Sequence, residues 1–435
     1  MLLSQLPVQI LEYVNYGIAI ALTLLYLMQN VHLIVAVFTP HKRFKKAKKQ
    51  HNFGYLICGR NEQEVIGNLV DSIYKQDYPR ELMKVFVCAD NCTDNTAEIA
   101  RNHGAIVYER HNDKLKGKSY ALDYLLNQVL KDESNKEIEA FFVFDADNLV
   151  TKDYTKHMNE TYDAGSLVST SFRDSKNFSH SLAAACSSVM FYRECLLIHH
   201  SRQLLGLGTF VSGTGYYVDR KILEKLNGWH FNTLTEDIEF SCWCAANKIK
   251  IGYNQEAIFF DEQPNTMHAA DKQRLRWCKG THQCAHLYCG KLFFNAFGIN
   301  RRSPANRLSC FEMFVHVFPS PIMCALWMVI YGLLHTIFFA TGLETQNEYI
   351  HTSLTMLGWE LFAIFGLALI HAIICTAKYY THIQANFFKK LLAVFMFPFF
   401  AAMYIPLSFV ALFKKEVKWD HIAHTEDIKI EELTK

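Results

Sequence analysis

The chain has 435 residues, is 50% hydrophobic and carries a net charge of +2. That length is a prior for roughly two or three domains, and the near-neutral charge excludes a general electrostatic attraction to nucleic acid. The 13 cysteines include no paired C-x-x-C spacing, which argues against structural zinc and for small buried thiols in a reducing compartment.

Apolar residues gather at 9–38 and from about 310 onward, and roughly 50–290 has ordinary globular composition. Residues 9–38 exceed the ~20 apolar residues that cross a bilayer. No small-residue cleavage site follows, so 1–40 reads as an uncleaved anchor. Six Lys/Arg between 41 and 50 put that end in the cytoplasm and the N-terminus outside.

The short apolar runs "FGYLIC" (53–58), "KVFVCA" (84–89), "AIVYER" (105–110) and "AFFVFD" (140–145) alternate with segments of helical pattern. Alternation of this kind predicts an α/β, doubly wound parallel sheet covered by helices on both faces. Ligands bind such sheets at the carboxyl ends of the strands, where Arg60, Glu62, Asp90, Asp145 and Asp147 fall. A carboxylate at the end of a buried run must be solvated, paired or bound to a metal. The D-x-D pair Asp145/Asp147 suits a divalent cation shared with a diphosphate. Alone, it suits equally a helix N-cap formed by Asp147 or Asn148 near Thr151. His199 and His200 lack ligand spacing and read as packing or surface residues.

Residues 281–305 mix aromatics with cations, as expected of a helix lying on the membrane surface or of an amphipathic helix packed on the soluble domain. Three further apolar stretches follow at about 312–341, 354–378 and 388–413. The first loop between them is acidic and the second basic, in keeping with a chain that goes out and returns. A full final crossing would put the lysines of "KKEVKW" outside. Pro398 and Pro406 lie within that stretch, so a re-entrant or interfacial course is the alternative. The polar tail after Trp419 is free to fold back over the ligand cleft if it is cytoplasmic.

The ordered segments "GRNE", "ADNCTDNT", "GKSYAL", "DAD", "GTG", "TED" and "QRLRW" resemble the family 2 inverting glycosyltransferases of GT-A fold. They resemble in particular the membrane-integrated branch with D, D-x-D, (E/T)D and Q-x-x-R-W motifs, which includes cellulose, hyaluronan, chitin and poly-N-acetylglucosamine synthases. The resemblance covers about residues 50–285. One departure is "ADNCTDN" where the family usually has "DDGSTD", so Asp90 keeps only the second acidic position.

The resemblance implies Asp147 as ligand to Mg²⁺ or Mn²⁺, with Asp145 beside it and closer to the nucleoside. It makes Asp237 of "TED" the general base of a single inverting displacement, with neighbouring Glu236 pointing elsewhere. Arg276 and Lys118 then face the diphosphate, Gln273 and Trp277 align the acceptor sugar, and Gly213 and Thr214 of "GTG" floor its site. Each residue also has a plain structural reading. Asp237 suits a helix dipole, Lys118 a solvated surface, Trp277 a core position and the glycines a turn.

The expected organisation is an anchor (1–40), a GT-A domain (50–285), an interfacial segment (286–310), C-terminal transmembrane helices (311–415) and a polar tail (416–435). The expected function is a multi-pass cell-membrane enzyme with a cytoplasmic catalytic domain. It would pass a hexosyl or N-acetylhexosaminyl group from a UDP-sugar to a growing β-linked polysaccharide, as a homo-oligomer or with an accessory subunit. The alternative acceptor is a lipid-linked sugar. A nucleotidyltransferase would have no use for "QRLRW" or for spans. A transporter would need more spans and buried charged pairs within them.

Overall fold

The computed structural model describes residues 6–299, 301–417, 424 and 426–434. Helix α1 (Leu6–Phe38) is followed by an alternation of β1 (Phe53–Gly59), α2 (Ile66–Tyr74), β2 (Met83–Asp90), α3 (Thr96–Asn102), β3 (Ile106–Arg110), α4 (Lys118–Lys131) and β4 (Ala140–Asp145). These four strands pair in parallel in the order β3-β2-β1-β4. Their unbroken apolar runs follow from burial on both faces. Val85 and Val87 enter the core beneath α2 and α5 (Tyr154–Asp163), while Phe86 and Cys88 enter the one beneath α4.

The second half of the sheet departs from the expected parallel arrangement. It contains β5 (Leu149–Val150), β6 (Val168–Ser175), β7 (Tyr216–Asp219) and β8 (Ile251–Asp261), and the eight strands run β3-β2-β1-β4-β7-β6-β8-β5. β7 is antiparallel to both β4 and β6, and β5 is antiparallel to β8, so the sheet is mixed. Strand direction is set by the connections, and apolar runs carry no information about it. Between β6 and β7 lie α6 (Leu182–Arg193), a π-helical stretch (Glu194–His200) and α7 (Ser201–Leu204). Between β7 and β8 lie α8 (Arg220–Leu226) and α9 (Glu236–Ala246). His199 and His200 are buried in the π stretch, as packing residues would be, with His199 bonded to Thr209 Oγ1 (2.6 Å). All 13 cysteines are free thiols.

Helix α10 (Met267–Phe297) starts at Thr266, whose hydroxyl accepts from the Ala269 N–H. It carries "QRLRW" and runs on through the segment expected to be separate and interfacial, then packs beside α11 (Pro304–Val317). Cys284, Leu292 and Ala296 are buried with Ile238 of α9 and Met313 of α11, whereas Phe293 and Phe297 remain exposed. The expected span 312–341 is divided, because Phe318 is extended ahead of Pro319 and ends α11.

Further on are α12 (Ser320–Ala340), α13 (Gln346–Leu361), a π turn (Phe362–Gly366), α14 (Leu367–Lys378), α15 (Phe387–Ala402), α16 (Tyr404–Phe413) and α17 (Ile430–Leu433). Among the described residues, four helical stretches are long and apolar enough to cross a membrane: Leu6–Leu25, Ile322–Ala340, Gln346–Lys378 and Phe387–Phe413. Both ends of the last one touch the catalytic domain, through Lys389 Nζ to the Ser179 carbonyl (2.7 Å) and Lys279 Nζ to the Ala411 carbonyl (3.1 Å). Pro398 lies inside α15, and the helix breaks at Met403.

The tail folds back over the domain. Ile430 and Leu433 pack on Leu149 and Phe260. Asp427 accepts from Asn68 (2.6 Å), and Glu431 pairs with Lys75 (3.1 Å). Trp419 lies outside the described residues.

Candidate active site

The strand ends open into one cavity of about 1390 Å³. Arg60 and Glu62 reach it from beyond β1, Asp90 from β2, Asp145 and Asp147 from β4, and Lys118 from the first turn of α4. Gly213 enters from the loop before β7, Asp237 from the first turn of α9, and Gln273, Arg276 and Trp277 from α10. Asp147 and Asp237, 90 positions apart in sequence, thus face the same space.

Thr214 is placed differently. It is 1% exposed and does not reach the cavity. Its hydroxyl accepts from the Asp145 N–H (3.0 Å) and donates to Asn148 Oδ1, so it braces the D-x-D turn from behind. Asn148 in turn donates to Asp261 Oδ1 (2.7 Å), and the Glu262 N–H donates to Asp147 Oδ2 (3.0 Å). No helix starts at Asp147 or Asn148: β5 follows directly, and the cap of α5 is Asp153. Gly215, at φ +68°, lets this loop turn, and a methyl there would overlap the Phe259 ring.

Asp90 is tied to Arg110 at 2.5 Å, a guanidinium the sequence reading did not single out. Lys118 is paired with Asp145 and donates to the Gly213 carbonyl (2.7 Å). Burial works against its charge, but Asp145 and Glu236 outweigh burial and hold its pKa above the ordinary value. The solvated alternative for this lysine is therefore not the one the fold adopts.

Glu236 does not point elsewhere. At N1 and N2 of α9, Glu236 and Asp237 both line the cavity, because the end of a helix exposes more than one face to the space in front of it. Burial pushes the Glu236 carboxyl up against the pull of Lys118 and Arg276. Burial, and next the Glu236 charge, push Asp237 up to about 7. Asp237 also lies in the first turn, where a carboxylate complements the dipole, so its structural reading and its chemical one coexist.

α10 meets the start of α9 at very close range. A Cβ on Gly280 would sit 2.7 Å from the Thr235 nitrogen. Gln283 Oε1 accepts from the Leu234 N–H (2.9 Å), and Arg276 donates to the Leu234 carbonyl (3.3 Å). Trp277 stands edge-on to Phe191, with ring centroids 6.0 Å apart.

Asp261 and Glu262, missed in the sequence, join the acidic end of the cavity. Their signal was present: "AIFFDE" ends an apolar run in carboxylates, just as "AFFVFDAD" does. Burial pushes Asp261 up to about 7; Arg173 opposes this, and the charges of Asp147 and Asp145 add to it. His424 of the tail closes on Glu62 (3.0 Å). Burial opposes its protonation, but Asp147 and Glu62 raise it to about 10.

Among the described residues no three His, Cys, Asp or Glu side chains converge as a metal cage. The crowded carboxylates fit instead a hard cation held by one or two protein oxygens, with phosphate oxygens completing its shell.

A mixed sheet of this order, with D-x-D at one strand end and an acid-headed helix opposite, defines a GT-A glycosyltransferase carrying C-terminal apolar helices long enough to span a membrane. Residues 51–280 match the family described as "Glycosyltransferase like family 2", and the chain belongs to that family. It is 26% identical over 305 residues to the β-monoglucosyldiacylglycerol synthase of Nostoc sp., covering 67% of this chain and 62% of the relative. It is 23% identical over 273 residues to the poly-β-1,6-N-acetyl-D-glucosamine synthase of Staphylococcus epidermidis, covering 61% and 64% respectively. The chain thus spans less than two thirds of the length of these curated relatives. The solved mannosyltransferase PcManGT of Pyrobaculum calidifontis, in complex with GDP-Man and Mn²⁺, has the same fold. Its TM-score is 0.58 at 16% identity, covering 93% of this chain and all of that one.

Proposed function

We propose that this glycosyltransferase acts at a membrane by a single inverting displacement, moving a sugar from a UDP-sugar to a growing β-linked polysaccharide. The observation that carries this reading is the shared cavity, lined by Asp147 and its acidic neighbours as well as by Asp237 and Trp277.

The diphosphate of the donor lies against the strand ends. Asp147, with Asp145, would hold Mg²⁺ or Mn²⁺ there, and the ion would supply Lewis-acid neutralisation of the leaving phosphates. Arg276 adds a fixed cation, and Lys118 stands at the head of α4, where amide N–H groups favour anions. Asp237, with a pKa near the working pH, takes the proton from the acceptor hydroxyl as that oxygen attacks C1. Trp277 offers the acceptor ring an apolar face, and Gln273 lies one turn away on the same helix face.

A lipid-linked acceptor is the second reading. It is favoured by Phe397, Phe400 and Tyr404 of the last apolar segment, which line the cavity, and by the similarity to monoglucosyldiacylglycerol synthases.

Membranes holding the protein, incubated with labelled UDP-sugars with and without EDTA, test the reading. UDP release and label in polymer or lipid are expected, and loss of both with EDTA. Asp237→Asn is expected to lower transfer by about 10²–10⁴-fold while UDP still binds; retained transfer would reject the assignment.

A further inference from the structure

The cavity is larger than the roughly 300–1,000 Å³ that a single small ligand occupies. Among the side chains that line it, Arg202 of α7 and Glu312 of α11 meet at 2.8 Å, with His32 of α1 3.1 Å from the same Glu312 oxygen. Arg202 is 4% exposed and Glu312 5%. Yet Arg202 Nε and Nη1 and Glu312 Oε1 have no hydrogen-bond partner among the described residues. Buried polar atoms are rarely left unpaired, and these belong to side chains that line the cavity.

The charge of the cluster says what it suits. Arg202 and Glu312 cancel, and burial, aided by Arg202, lowers the pKa of His316 to about 4 and keeps it neutral. Spare N–H donors beside a spare carboxylate oxygen match neighbouring hydroxyls, which both donate and accept.

The position is also informative. The Arg202 guanidinium lies 5.8 Å from the Phe210 ring centroid, and Phe210 is buried in one cluster with Ile238, the residue after Asp237.

We propose that Arg202 and Glu312 form an acceptor subsite that grips the hydroxyls of the sugar unit behind the accepting one. Resting on the glycosyltransfer reading above, this makes the protein an elongating enzyme for sugar-bearing acceptors and a poor initiator on bare lipid alcohols.

The test uses the full chain in detergent with the UDP-sugar that a donor screen selects. The acceptors are an alkyl monosaccharide and an alkyl disaccharide of equal chain length and equal terminal sugar. For the unaltered protein, the disaccharide is expected to have a kcat/KM about ten-fold higher, the scale of one hydrogen bond to a charged group. Arg202→Met and Glu312→Gln are expected to bring that ratio close to one, mainly through the KM for the disaccharide. Equal use of the two acceptors by the unaltered protein overturns the proposal, and so does a ratio that survives both substitutions. A variant that no longer binds UDP is set aside, and the unaltered protein's ratio then decides. If no UDP-sugar yields either transfer or hydrolysis, the donor assignment itself fails, and that result is distinct from equal use of the two acceptors.

Discussion

At the residue scale, chemistry at this site is set by who crowds whom. Asp237 sits at a pKa of about 7 because burial penalises its charge and Glu236 adds like-charge repulsion. As a base it must be ionised, and its raised pKa leaves it protonated below about 7. The rate of transfer is therefore expected to fall as pH drops through that value, in a profile of kcat/KM against pH. Glu236→Gln removes one of the two causes, so the acidic limb should move to lower pH; an unmoved limb would assign the titration to another group. The acid pairs were legible in the sequence because a carboxylate closing an apolar run is costly without a partner. Glu236, by contrast, was misread, since the direction of a side chain at the mouth of a helix depends on the cations opposite, here Lys118 and Arg276. Thr214 was misread for the converse reason: its hydroxyl serves the Asp145 backbone, a demand visible only once the two loops are adjacent.

At the element scale, the site depends on how closely α10 approaches the start of α9. Glycine inside a helix costs about 1 kcal/mol relative to alanine, and Gly280 is found where α10 packs on the Thr235 backbone. Gly280→Val is expected to push α10 outward and carry Gln273, Arg276 and Trp277 with it. A shift of about 1 Å can cost on the order of 100-fold in rate, so transfer should fall by about that factor, with a lowered Tm because overpacking against backbone costs about 1–3 kcal/mol; an unchanged rate in the folded variant would show that the approach is not needed. The parallel half of the sheet was readable, since buried strands alternating with helices admit few arrangements. The antiparallel β7 was not: its four residues carry no mark of direction. The long α10 was cut short in the sequence because its polarity changes along its length, although no Gly-Pro break interrupts it before Gly298.

On the scale of the whole molecule, the open question was the side on which the chain ends. Residues 424 and 426–434 lie against the catalytic domain through Glu62, Asn68 and Lys75, and both ends of Phe387–Phe413 touch that domain. We expect the last apolar segment to enter and leave the membrane on one side, with Pro398 and the break at Met403 allowing the turn. Reporter fusions are expected to place the loop at 341–345 outside and both 379–386 and the C-terminus inside; a C-terminus outside would show a full crossing. By itself the sequence determined the chemistry on offer and the segments able to enter a bilayer, because carboxylates at strand ends and runs of apolar residues are local facts with steep solvation costs. Only the tertiary structure decided the direction of half the sheet, the inward turn of Glu236, the polar cluster around Arg202 and the return of the tail. Each of these depends on which distant groups become neighbours, and a pairing energy does not exist until the chain has brought its two partners together.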